Sequence, residues 1–96
     1  MSDLRLVSTR KRELKTLVEG AIGNELRLLE AGVRRTERRL SEFEKKYRLG
    51  TEDFVAQYES DKLEETLDFD EWIGEGRMLE RLKEKAETLR DIRFAN

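Results

Sequence analysis

The 96-residue chain is 36% hydrophobic and 44% charged, with no Cys, His or Pro, which predicts one small domain with no wide globular core. The missing cysteines exclude a disulfide framework and thiolate chemistry, and the missing histidines remove the usual acid–base residue and the commonest metal ligand. The net charge of −2 divides unevenly: residues 1–48 carry thirteen Lys/Arg and eight Asp/Glu, net +5, and residues 49–96 carry seven and fourteen, net −7. These halves either satisfy each other or address different partners.

Leu, Glu, Arg and Lys dominate, while Val and Ile are scarce, and this composition predicts an all-α fold of long helices. The opening "MSDLRLVSTRKREL" lacks the apolar centre of a secretory signal, and no run approaches the ~18 apolar residues of a membrane span, so a soluble cytoplasmic protein is expected.

The first element is a long helix over 8–47. Ile22, Leu26, Leu29, Val33, Thr36, Leu40, Phe43 and Tyr47 form a heptad seam, which Leu14 and Val18 enter through a stutter. Gly20 and Gly23 leave a kink or break at 20–24 open. Gly50 suits the residue just past the helix end, and Lys45, Lys46 and Arg48 favour the negative end of its dipole.

Thr51 then caps a short helix over 51–59, which presents Phe54, Val55 and Tyr58 on one side. An acidic connection follows, and Asp68 with Glu71 reads as a variant capping box opening a last helix over 69–93. There Trp72, Leu79, Leu82, Ala86 and Leu89 make a second seam, flanked by Ile73 and Ile92. Two seams joined by a connection of about 20 residues predict an antiparallel coiled-coil hairpin with the short helix in the connection. The helices differ in length, which leaves an overhang carrying Leu14, Leu17, Val18, Ala21 and Ile22 for self-association or a partner to cover.

The candidate chemistries are few. Glu65 with Asp68, and Glu84 with Glu87, are carboxylate pairs of the kind that hold magnesium, but the seam puts Glu84 and Glu87 on the outer face. "WIGEGR" lacks the third glycine and the basic residue of a phosphate loop; Gly74 and Gly76 fit better as points of close helix approach. No nucleophile arrangement stands out, so neither catalysis nor a cofactor is expected.

Arg34, Arg35, Arg38 and Arg39 form a basic face able to track nucleic-acid phosphates. Spacings of four to Glu30 and Glu42 equally suit a salt-bridged surface. A ribbon-helix-helix order also fits, with "LRLVS" as strand, "TRKRELKTLVEGA" as helix, "IGN" as turn and a second helix after it.

The region from Thr51 to Gly76 holds ten carboxylates against the single cation Lys62, together with Phe54, Tyr58, Phe69 and Trp72. One reading is an aromatic plug closing the hairpin, with Trp72 opposite Phe43 or Tyr47. The other is a docking surface in which Phe54, Tyr58, Phe69 and Trp72 are anchors and Glu52, Asp53, Glu64, Glu65, Asp70 and Glu71 steer a basic partner.

Lys46, Tyr47, Gly50, Thr51, Phe54, Asp68, Phe69, Glu71 and Trp72 together resemble the C-terminal part of small helical prokaryotic antitoxins from toxin-antitoxin gene pairs. The resemblance spans about residues 43–85, and Arg48 and Leu49 intervene where that pattern has Gly-Met. It implies a non-catalytic, oligomeric protein that neutralises a basic toxin. A DNA-binding regulator using the basic half and a purely structural oligomerisation module are the alternatives.

Overall fold

The computed structural model describes residues 3–4 and 11–94. The chain runs β1 (Asp3–Leu4), α1 (Lys11–Tyr47), α2 (Thr51–Glu59), α3 (Leu67–Arg90) and β2 (Arg93–Phe94). α1 and α3 pack antiparallel, α2 lies across the closed end, and β1 pairs with β2 in a two-residue parallel ladder. This is the expected all-α hairpin, drawn out to 59 × 22 × 17 Å.

α1 is a single helix of 37 residues, continuous through Gly20 and Gly23. That continuity removes the turn at Ile22–Asn24 on which the ribbon-helix-helix order depends; Arg5 to Arg10 lie outside the described residues.

The hairpin turn differs from the expectation in three places. Arg48, not Gly50, adopts the left-handed conformation that ends α1, at φ 52°, and the Leu49 N–H then donates back to the Glu44 carbonyl at 3.3 Å. Leu49 packs against the core, so the helix has to turn before it. Gly50 is extended (φ −70°, ψ 150°) and is the N-cap of α2, while Thr51 is the first residue of that helix, its N–H held by a Glu44 carboxylate oxygen at 2.9 Å. At the start of α3 the cap is Thr66, whose hydroxyl accepts from the Phe69 N–H at 3.0 Å, two residues before the expected Asp68.

α2 closes with Asp61 at φ 59°, the Asp61 N–H on the Tyr58 carbonyl and the Lys62 N–H on the Gln57 carbonyl, a Schellman arrangement without glycine. α3 ends at Arg90, and Arg93 belongs to β2 instead of the helix.

The predicted seams are the buried faces. Leu29, Thr36, Leu40 and Phe43 of α1 meet Trp72, Ile73 and Ala86 of α3, with Phe54 of α2 closing the end. Among the glycines the closest approach is at Gly32, where a Cβ would stand 3.3 Å from Leu82 Cδ1. Gly74 faces open space and Gly76 only an ordinary contact with Thr51, so the close approach expected of those two glycines falls to Gly32. Arg90 meets Glu30 at 3.4 Å near the end of α3, and the N-terminal stretch of α1 projects past it. Among the described residues, none of α1 before Leu29 is buried.

Candidate functional site

The aromatic residues are divided by depth. Phe54 and Trp72 have no exposed surface; their rings stack face to face, 3.9 Å apart and 2° from parallel. Trp72 also stacks on Phe43 at 5.5 Å and Tyr47 at 5.7 Å, the placement expected for the plug. Its indole N–H, which burial would otherwise leave unpaired, donates to Thr51 Oγ1 at 3.0 Å. Phe54 and Trp72 are therefore core, and the folded chain cannot offer them as partner anchors. Phe69 and Tyr58 are half-buried and pack against the same cluster.

Two of the six proposed steering acids, Asp70 and Glu71, are engaged within the fold. All six are exposed, but Glu71 accepts a hydrogen bond from Arg39 at 2.8 Å and Asp70 accepts one from the Tyr58 hydroxyl at 3.4 Å. Asp68, just before them, takes Lys46 at 2.6 Å and the Tyr47 hydroxyl, tying the end of α1 to the start of α3. Hydrogen bonding from Lys46, then from Tyr47, holds the Asp68 pKa below its ordinary value. The same contact with Asp68 holds those of Lys46 and Tyr47 above theirs. Burial, then the fields of Asp70 and Glu65, raises that of Tyr58.

The basic face is likewise thinner than its sequence suggests. Arg39 is taken up by Glu71 and Glu42 and lies 4.4 Å above the Phe43 ring, and its hydrogen bond to Glu71 is the main cause of its raised pKa. Glu42 pairs with Arg39 instead of Arg38, and Glu30 with Arg90 instead of Arg34. Arg34, Arg35 and Arg38 are exposed and make no ion pair among the described residues.

What the fold assembles is a groove of about 710 Å³ where α2 meets the α1–α3 face. Leu40, Val55, Ile73 and Leu79 supply apolar lining. Glu37, Glu44, Glu52, Glu59 and Glu80 stand along it against only Arg77 and Lys83, a net charge of −3. Of the six acids singled out from sequence, only Glu52 lines it. The missed residues carry a faint signal: Glu37 and Glu44, Glu52 and Glu59, and Ile73 and Glu80 are each seven apart, so each pair shares a helix face.

Glu84 and Glu87 are exposed as expected, and no three acidic side chains converge as a metal-ligand set among the described residues. No described helix is long and apolar enough to cross a membrane. Compared with protein-family models, curated proteins and solved structures, the chain matches none of them.

Proposed function

We propose that this chain is a non-catalytic protein-binding hairpin that takes a basic amphipathic helix of its partner into the acidic groove between α1, α2 and α3. The observation that carries the reading is the groove itself: an aliphatic floor flanked by five carboxylates and two cations, open on one face of a hairpin whose Phe43, Phe54 and Trp72 are committed to the core. A helix laid in such a groove buries apolar residues at i, i+3 and i+7 and sets Lys and Arg against the rim. The carboxylates speed encounter and select the partner, and the floor holds it. The resemblance to antitoxins makes a basic toxin the partner to test first, neutralised by occlusion of the helix that enters the groove.

The test is co-expression with the products of adjacent reading frames, followed by association kinetics of the purified pair. Replacing Glu37, Glu52 and Glu59 with Gln is expected to slow association about tenfold at low salt and to flatten its salt dependence. Val55→Asp places a charge on the floor and is expected to speed dissociation, whereas Glu84→Gln on the outer face changes neither rate. A partner whose rates ignore all groove variants refutes the reading.

A further inference from the structure

The projecting part of α1 carries a second apolar stripe that the hairpin does not use. Leu14, Leu17, Ala21, Asn24, Leu28 and Ala31 are spaced 3, 4, 3, 4 and 3, a heptad pattern of its own. At 3.6 residues per turn they fall within an arc of about 100°, on the opposite side of α1 from the groove residues Glu37 and Leu40. Leu17 is 71% and Leu28 63% exposed, the largest exposures of any large hydrophobic residue on α1 among those described. Because α1 is continuous through both glycines, the stripe is one unbroken ridge.

We infer that this ridge pairs with the same ridge of a second copy, antiparallel, about an axis between Ile22 and Gly23. The sequence is self-complementary in that register and no neighbouring one does as well. Leu14 meets Ala31, Leu17 meets Leu28 and Ala21 meets Asn24, each twice by symmetry, so every large residue faces an apolar partner. Asn24 keeps a partner within its own helix, its side-chain oxygen accepting from Arg27 at 3.2 Å, and a single polar residue in such a seam sets register.

The surface area supports a second copy as the occupant. A compact monomer of this mass exposes about 5,800 Å², and this chain exposes 7819 Å². The difference of about 2,000 Å², summed over the whole chain, leaves room for the ~800 Å² that a standard interface takes from each partner. The radius of gyration, 18.8 Å, against about 12.5 Å for a compact domain of this length, reflects the same projection. Since ridge and groove lie on opposite sides of α1, the pair leaves both grooves open and is bivalent towards the partner helix.

Sedimentation equilibrium of the full chain tests this, with an expected mass of twice 11.4 kDa. Leu17→Glu with Leu28→Glu is expected to halve the mass without changing helicity by circular dichroism. The chain has no cysteine of its own, so the register is read by mixing Leu17→Cys and Leu28→Cys chains under oxidation. A mixed disulfide dimer is expected, with little of either homodimer. A mass of 11.4 kDa at about 100 µM chain, where a dimer with a Kd of about 10 µM would hold roughly four-fifths of the chains, refutes the pairing, as does a dimer that survives the double glutamate variant. Leu17→Cys linking to itself refutes the antiparallel register. None of these outcomes alters groove binding, so the two proposals fail separately.

Discussion

Thr36 sits in the middle of the α1 seam, 1% exposed, and its Oγ1 is buried with no hydrogen-bond partner. An unpaired buried hydroxyl costs about 1–3 kcal/mol in lost hydration, and nothing in this seam returns it. Thr36→Val keeps the β-branched shape and nearly the same helix propensity while replacing the hydroxyl with a methyl group. The variant is therefore expected to be more stable by about 1–2 kcal/mol, which raises the melting temperature by roughly 5–10 °C for a domain of this size. Urea unfolding at fixed protomer concentration reads it, since any self-association would otherwise enter the midpoint. The midpoint should rise with the slope unchanged, because the surface exposed on unfolding is the same. Thr36→Ser keeps the hydroxyl and removes a packed methyl, so it should lose about 1 kcal/mol. A Thr36→Val chain no more stable than the parent refutes the claim that the hydroxyl is a net cost.

Thr51→Val leaves the buried Trp72 N–H without its acceptor and should destabilise by about 1–3 kcal/mol, with the emission of the only tryptophan shifting; Thr51→Ser should restore both. Gly20 has nothing within 4 Å of a built Cβ, so Gly20→Ala should gain most of the ~1 kcal/mol helix-propensity difference; Gly32→Ala must push Leu82 aside and should gain less, and equal gains in thermal melts would contradict the packing described. Asp68 has its pKa depressed in the fold, so its contacts with Lys46 and Tyr47 stabilise above the unfolded-state pKa and are lost as pH falls through the folded one. Asp68→Asn should lower the melting temperature at pH 7 and converge on the parent once the pH has fallen through the depressed Asp68 pKa, and curves that stay parallel into the acid range would deny the contact its role.

The sequence by itself determined the all-α class and both seams, because helix formers and heptad spacing act locally and dictate which face must be covered. It placed Trp72 against Phe43 and Tyr47, since only the antiparallel hairpin buries both seams. It could not place the helix ends, because Arg48 and Thr66 take positions set by packing of Leu49 and by the geometry of the turn, against the local preference for Gly50 and Asp68. Nor could it sort the aromatics: Phe54 and Tyr58 are equally apolar as letters, and only the docking of α2 leaves the first buried and the second half-exposed. The acidic groove is a wholly tertiary object. Its carboxylates come from three helices, Glu37 and Glu80 being 43 positions apart in the chain, and charge density along a sequence says nothing about which carboxylates share a face once the helices cross.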